Sequence, residues 1–187
     1  RVLFRSAFCN AALTSIVVPD NVTHIGLAAF ADMEETLKSA VIGSGVKELN
    51  ATFADCMSLE SVILSEGLET IGDEVFSLCY FLSSVNIPHS VTSIEESAFA
   101  GCRSLESIVI PSGVTTIGDY AFGFCISLTT VICKAIEVPK LGADVFEDMP
   151  LSEATLYVPA ESLEDYKAAD QWKEFGTILP LDKAPSA

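Results

Sequence analysis

The sequence predicts a repeat solenoid of the α/β type, with about 23 residues in each coil and one parallel β-sheet along one face. Phenylalanine recurs at steps of 22, 23, 23, 23, 23 and 24 residues. The residues between these phenylalanines also repeat, and the segment 76–125 contains nearly the same sequence twice. A fixed period in the low twenties is typical of solenoids, whose units stack because none can bury its apolar face alone. The recurring residues are Phe8, Phe30, Phe53, Phe76, Phe99, Phe122 and Phe146.

Each unit contains one segment with the pattern of a short strand. Leu59, Val62 and Leu64 have the spacing L-x-x-L-x-L, and the segments that begin at Leu13, Leu82, Leu105 and Leu128 repeat it. Alternating β-branched residues predict a strand, and stacked coils would place such strands about 4.8 Å apart in a parallel sheet. A polar turn, a V-T-x-I segment with inward side chains and a Gly–acid turn complete the coil. Burial of each recurring phenylalanine should then contribute roughly 1.5–3 kcal/mol.

Four cysteines form a ladder, because each lies three residues after a recurring phenylalanine. They are Cys56, Cys79, Cys102 and Cys125, and Met33 and Met149 take the same position in other units. Zinc needs ligands that converge from several directions, whereas these sulfurs lie one per coil and point the same way. The presence of methionine at the same position in other units favours a packing role over metal binding. We therefore predict that these thiols are buried and hold no metal. Cys133 is expected in the core, and Cys9 is expected to be the most exposed thiol.

Composition excludes several classes of function. The chain of 187 residues carries 26 acidic and 10 basic side chains, a formal charge of −16, which argues against binding to nucleic acid or anionic lipid. No apolar run approaches the roughly 18 residues of a membrane-spanning helix. The sequence begins within a repeat, since "VLFRSAF" aligns with "SIEESAF" at 93–99, and we therefore expect truncation at the N-terminus.

The sequence does not predict an enzyme or a cofactor. A catalytic site needs a nucleophile, a base and an orienting group that converge. The two histidines, His24 and His89, are three coils apart, or about 15 Å at the spacing of stacked strands. Neighbouring carboxylates such as Glu95 and Glu96 fall in solvated turns, and the calcium-loop pattern D-x-[DN]-x-[DN]-G is absent.

The C-terminal segment 151–181 is expected to form a capping strand and helix, followed by a tail at 182–187. A solenoid needs such a cap because its last coil exposes an apolar face. Ser162 and Asp165 have the spacing of a capping box, and Gly176 would end the helix. A helix that binds a partner would have the same pattern. Its apolar face would consist of Leu163, Tyr166, Ala169, Trp172 and Phe175.

The repeated pattern F-x-x-C-x-x-L-x-x-I-x-I-P-x-x-V-x-x-I-x-x-x-A-F resembles the BspA-like leucine-rich repeat of surface and secreted proteins from anaerobic bacteria and some protists. The resemblance covers about Val2 to Pro180, and the C-terminal segment is similar to that of Bacteroidetes members. It implies a right-handed leucine-rich repeat solenoid of six to seven coils over residues 1–150. It also implies a secreted or cell-surface location, adhesion to host or microbial proteins, no catalytic residues and no cofactor.

Two outward positions alternate with the buried positions of each strand, and we predict that they form a protein-binding stripe. One carries hydroxyl side chains, and the other is aliphatic except at Asn86. A contiguous apolar stripe on an exposed face is typical of a protein contact, whereas β-propensity alone gives the same pattern. The acids Asp73, Glu74 and Asp119 fall in the opposite turns. The candidate residues are Ser15, Val17, Val41, Ser61, Ile63, Ser84, Asn86, Ser107, Val109, Thr130, Ile132 and Tyr157.

Two functions from different classes fit these patterns. The first is a monomeric, non-catalytic adhesion module that binds a host extracellular-matrix protein or a microbial surface protein through the sheet face. The second is a rigid structural spacer that displays another domain. A binding module retains a partner when the repeats are expressed alone, and a spacer does not.

Overall fold

The computed structural model describes residues 2–3, 5–9 and 11–185. It is a parallel β-solenoid of about eight turns with about 23 residues in each turn, which confirms the predicted architecture. The last two residues of the expected tail, 186 and 187, lie outside the described residues.

Within the described residues the chain forms fifteen short strands and one α-helix. They are β1 (Val2–Leu3), β2 (Ser15–Val18), β3 (His24–Ile25), β4 (Ser39–Ile42), β5 (Glu48–Leu49), β6 (Ser61–Leu64), β7 (Thr70–Ile71), β8 (Ser84–Val85), β9 (Ser93–Ile94), β10 (Ser107–Ile110), β11 (Thr116–Ile117), β12 (Thr130–Cys133), β13 (Lys140–Leu141), β14 (Thr155–Val158), α1 (Leu163–Ala168) and β15 (Thr177–Pro180).

All strand pairs in this part of the chain are parallel, and each pair joins equivalent segments of neighbouring coils. The L-x-x-L-x-L segments form two four-stranded sheets, β2-β4-β6-β8 and β10-β12-β14-β15. The V-T-x-I segments add a five-stranded sheet, β5-β7-β9-β11-β13, beyond the single sheet that the sequence predicts. β14 and β15 show that the C-terminal segment itself continues the coil.

The recurring phenylalanines form a continuous column through the core. Their rings stack in sequence from Phe8 to Phe146, with 5.2–6.1 Å between the centroids of neighbouring rings. Every ring from Phe30 to Phe146 is at most 3% exposed, whereas Phe8 at the N-terminal end is 39% exposed. Each interior ring thus depends on the coils above and below for its burial, as the repeat predicts.

The turns around this column are joined by backbone hydrogen bonds. In one coil, the N–H groups of Ala51, Phe53 and Asp55 donate to carbonyls of the next coil over 2.7–2.9 Å. Ala51 and Asp55 have left-handed backbones, with φ of 45° and 57°. The residues two positions before and after most of the other column phenylalanines share this conformation. This conformation points alternate N–H groups toward the following coil. The turns therefore add a third set of hydrogen bonds between coils, beside those of the L-x-x-L-x-L and V-T-x-I strands.

The cysteine ladder is buried, which confirms the packing interpretation. Its four members are all 0% exposed. Each thiol donates to the carbonyl of the column phenylalanine in the preceding coil, as Cys56 does to Phe30 at 3.1 Å. Cys133 is also buried, and Cys9 is partly exposed, as predicted. The thiols therefore act as small core side chains that fix neighbouring turns to each other.

Two prolines lie beside the interruption between the two four-stranded sheets. In three coils, the residue after the strand donates its N–H to the last strand carbonyl of the preceding coil, as Ser65 does to Ile42 at 3.0 Å. Pro88 and Pro111 occupy this position in adjacent coils and have no N–H to donate. β8 ends at Val85 and does not pair with β10, whereas β12 and β14 stay paired although Pro159 occupies the same position.

The side chain of Asn86 replaces the hydrogen bond that Pro88 cannot make. Its Nδ2 donates to the Leu64 carbonyl at 2.7 Å, and its Oδ1 accepts from the Leu64 N–H at 2.9 Å. An amide is suited to this task because it carries both a donor and an acceptor. Asn86 is exposed, but its amide lies along the backbone of the preceding coil. Asn86 therefore joins two coils, a role that sequence analysis did not assign to it.

We expect Asn86→Ala to lower the free energy of unfolding by about 1–3 kcal/mol, because it leaves two polar groups of Leu64 without partners. Hydrogen exchange at the Leu64 amide should accelerate in the same variant. Ser84→Ala is the control, since Ser84 is exposed on the same strand, and it should change stability by less than about 0.5 kcal/mol. Unchanged exchange at Leu64 would contradict this role of Asn86.

The C-terminal helix is shorter than the sequence predicts. α1 ends at Ala168, Gln171 has a left-handed backbone with φ of 62°, and a separate 3-10 turn covers Trp172–Glu174. The predicted capping box is also wrong, because the Ser162 hydroxyl donates to the Ile136 carbonyl at 2.6 Å and caps no helix. The chain bends here because the Gln171 amide binds backbone groups of the preceding coil, at Gly142 and Val145.

The aromatic residues of this segment nevertheless cover the end of the core. Trp172 is 1% exposed, and its ring meets Phe146, the last member of the phenylalanine column, edge to face at 5.3 Å. Phe175 meets the same ring at 5.2 Å. The Tyr166 ring packs on Trp172, and its hydroxyl donates to the Ala135 carbonyl at 2.8 Å. These contacts bury the apolar end of the stack, as a cap must.

Candidate protein-binding surface

The predicted stripe lies on the outward face of the two four-stranded sheets. Strand alternation places its side chains opposite the buried ones, so that Val17 is 71% exposed between Ile16 and Val18, which are 8% and 3% exposed. Ile63 is 57% exposed on β6. Strand pairing aligns Val17, Val41 and Ile63 on three neighbouring strands. The first sheet therefore carries a row of outward aliphatic side chains at equivalent positions.

The second sheet is less accessible than predicted. Ile132 is on the outward face but is only 7% exposed, which corrects its assignment as an accessible contact residue. It lies in register between Val109 and Tyr157 on the neighbouring strands. Both neighbours are half-buried, because three large side chains crowd together on this face.

The hydroxyl positions align in the same way. Ser15, Ser39, Ser61 and Ser84 are paired on the first sheet, and Ser107, Thr130 and Thr155 on the second. All seven are exposed or half-buried. The nearest charged groups along the chain lie before or after the strands, and two of them, Lys38 and Glu60, form an exposed ion pair at 3.2 Å. The middle of the face therefore presents hydroxyl and aliphatic groups.

Sequence analysis missed two residues of this face. β15 pairs with β14 and places Thr177 beside Thr155 and Leu179 beside Tyr157. The signal was the similarity of Thr-Ile-Leu-Pro at 177–180 to Thr-Leu-Tyr-Val-Pro at 155–159. The gap between β8 and β10 divides the whole face into two halves, each with its own row of outward side chains.

Acidic residues lie away from this face. Asp73, Glu74, Glu96 and Asp119 are exposed in the turns that follow the five-stranded sheet. Glu95 is half-buried there. The sheet face is thus separated from much of the negative charge of the chain.

Two carboxylates outside the face are held by backbone groups. The pKa of Glu66 is lowered by hydrogen bonds from the His89 and Ser90 N–H groups, at 3.1 and 3.2 Å. The pKa of Asp20 is lowered by the N–H and hydroxyl of Ser44. Both acids join neighbouring coils, so their role is structural. Among the described residues, no group of three or more His, Cys, Asp or Glu side chains is arranged to hold a metal ion.

No helix in residues 2–3, 5–9 and 11–185 is long and apolar enough to cross a membrane.

A parallel solenoid whose short strands carry the L-x-x-L-x-L spacing defines a leucine-rich repeat protein. Residues 2–91 and 49–168 match the BspA type leucine rich repeat region, in six copies. The chain belongs to this family, which is typically non-catalytic.

Solved structures share the fold over nearly the whole chain. A leucine-rich repeat protein from Bacteroides ovatus is 28% identical, with a TM-score of 0.78, and the match covers 95% of this chain and 44% of that one. A leucine rich cell surface protein from Faecalibacterium prausnitzii is 24% identical, with a TM-score of 0.54 and coverage of 95% and 60%. The pneumococcal vaccine antigen PcpA is 18% identical, with a TM-score of 0.59 and coverage of 98% and 60%.

The chain therefore spans about half of the length of the first two of these relatives. The comparison with curated proteins found no match.

Proposed function

We propose that the chain is a non-catalytic protein-binding module of a secreted or cell-surface bacterial protein. The chain would act as a monomer. Its ligand would be a host extracellular-matrix protein or a microbial surface protein, bound through the outward face of the first four-stranded sheet. The family supports a binding role, and the Faecalibacterium protein with this fold is described as a cell-surface protein.

The observation that carries this proposal is the exposed aliphatic row on β2, β4 and β6. Val17 and Ile63 are 71% and 57% exposed on a face with little charge, while the rest of the chain is strongly acidic. Burial of such side chains against a partner contributes roughly 25 cal/mol for each Å² removed from water. Charged residues, which disfavour the centre of an interface, are confined to its margins and to other surfaces.

The test is capture on arrays of purified extracellular-matrix proteins and of microbial surface proteins. The double variant Val17→Glu, Ile63→Glu should reduce affinity for any captured protein by at least about tenfold, because it forces two carboxylates into the contact. Thr116→Glu is the matched control, since it adds a carboxylate at an exposed strand position on β11, and it should bind like the wild type. Equal capture by the wild type and the double variant would exclude the sheet face as the binding surface.

A rigid spacer is the second candidate. The continuous phenylalanine column and the hydrogen-bonded turns favour it, because both resist bending and depend on no ligand. The same arrays separate the two functions. A spacer would capture no protein, whereas light scattering of the purified chain should show a monomer in either case.

A further inference from the structure

A second apolar surface lies on a different edge of the solenoid, in the turns that flank the buried cysteines. We call it the apolar edge. Phe81, Ile126 and Phe124 are 61%, 56% and 43% exposed there. These three large exposed side chains lie in the first and third of three consecutive coils, a concentration that none of the other turns shows in the described residues. The apolar edge consists of Leu78, Tyr80, Phe81, Arg103, Phe124 and Ile126.

The repeat itself shows that this edge departs from the usual pattern. The second residue after the column phenylalanine is an acid in the outer coils, at Asp32, Asp55 and Asp148. In three consecutive central coils the same position holds Leu78, Gly101 and Phe124. Backbone hydrogen bonds of 2.8 Å, from the Leu78 and Gly101 N–H groups to the following coils, place these positions side by side. Acidic charge is therefore absent from this position in three consecutive coils, and Phe124 places an exposed apolar ring there.

The backbone gives no reason for the large exposed side chain of Phe124, whereas Leu78 is half-buried and packs over Gly101. Leu78 and Phe124 both have left-handed backbones, with φ of 59°. Asp and Gly, which the equivalent positions carry, adopt this conformation more easily than leucine or phenylalanine. An unfavourable conformation that is kept at an exposed residue indicates a role for the side chain outside the fold.

Arg103 adds a positive charge at the middle of this edge. Its guanidinium carbon lies 4.4 Å from the centroid of the Tyr80 ring, a cation–π contact that fixes the orientation of the side chain. The lysines at 38, 47, 167, 173 and 183 form ion pairs, whereas Arg103 forms none within the described residues. A stacked guanidinium presents a planar set of donors that fits a carboxylate.

We propose that the apolar edge binds an acidic segment of a partner protein. A carboxylate of that segment pairs with Arg103, and a neighbouring apolar side chain packs against Phe81 and Phe124. A carbohydrate fits less well, because the flat face of Tyr80 is covered by Arg103 and because Leu78 and Ile126 are aliphatic. This site is separate from the sheet face and does not depend on the function proposed for that face.

The test uses the intact chain and a fluorescein-labelled peptide of sequence Gly-Asp-Phe-Asp-Phe-Asp-Gly. Fluorescence anisotropy should give a Kd of about 1 mM or tighter for the wild type. Arg103→Gln should weaken binding by about tenfold, and so should replacement of every Asp in the peptide by Asn. Lys134→Gln is the control, because Lys134 is another exposed cation that lies outside the edge, and it should bind the peptide like the wild type.

A second variant separates binding from folding. Phe124→Asn removes the exposed ring, and asparagine adopts the left-handed backbone more easily than phenylalanine. The variant should therefore bind the peptide more weakly, while its unfolding midpoint is unchanged or higher. The sheet-face variant Val17→Glu, Ile63→Glu should bind the peptide normally, which distinguishes this site from the one proposed above. No binding by the wild type, equal binding by Arg103→Gln, or binding of an oligogalacturonate in place of the peptide would overturn the proposal.

Discussion

Replacement of Phe99 by alanine should lower the free energy of unfolding by about 3–5 kcal/mol, because it leaves a cavity in the middle of the phenylalanine column. Phe99 is 0% exposed, and its ring stacks on Phe76 and Phe122 with centroid distances of 5.2 and 5.3 Å. Neither neighbour can move into the gap, since each is held by stacking on its other side. Urea denaturation monitored by circular dichroism measures the change in the free energy of unfolding.

Phe81→Ala is the matched control for this prediction. It removes the same ring from a side chain that is 61% exposed, so stability should change by less than about 0.5 kcal/mol. Similar losses in the two variants would show that the column is not what holds the coils together.

Alkaline pH should destabilise the fold through the cysteine ladder. Burial raises the pKa of the Cys56 and Cys125 thiols from 9.0 to about 12. Burial also raises the pKa of Cys79 and Cys102 well above the ordinary value. Above pH 9.0 the unfolded chain therefore loses thiol protons that the folded chain retains. The contribution of the buried thiols to the stability of the fold is complete below this pH. It is lost as the pH rises toward the pKa values of the thiols in the folded chain.

The expected slope is a fall in unfolding free energy of about 1.4 kcal/mol per pH unit for each buried thiol. It can be measured as the urea midpoint at a series of pH values above 9.0. The double variant Cys102→Ser, Cys125→Ser should show a shallower slope, because serine does not ionise in this range. Lysine and tyrosine ionise equally in both proteins, so an identical slope would rule out the thiols as the cause.

The period of the sequence was sufficient to predict the coil, the phenylalanine column and the burial of the cysteines. Each of these depends on an apolar residue at a fixed position in every unit. The five-stranded sheet escaped prediction, because two-residue strands such as Thr116–Ile117 are too short to show alternation. The C-terminal helix was overextended, because a spacing of three residues fits both an α-helix and the separate turn that follows Gln171.

The candidate sites were predicted less completely. Alternation correctly placed Val17 and Ile63 on the outward face, but it could not show that neighbouring side chains cover Ile132. The amide of Asn86 was missed because its task depends on Pro88, whose missing N–H matters only when the preceding coil is beside it. The apolar edge could have been found by comparing the position of Phe124 across all units.

The interruption between β8 and β10 has a consequence for any large ligand on the sheet face. Here the two sheets meet at a seam with no strand pairing, while β9 and β11 remain paired on the other side of the same coils. Behind the seam, the stacking of Phe76 on Phe99 and the hydrogen bonds of the turns still join the two halves of the stack. A partner that lies along the full face therefore meets unpaired strand edges at its middle, in a stack that the other contacts keep continuous.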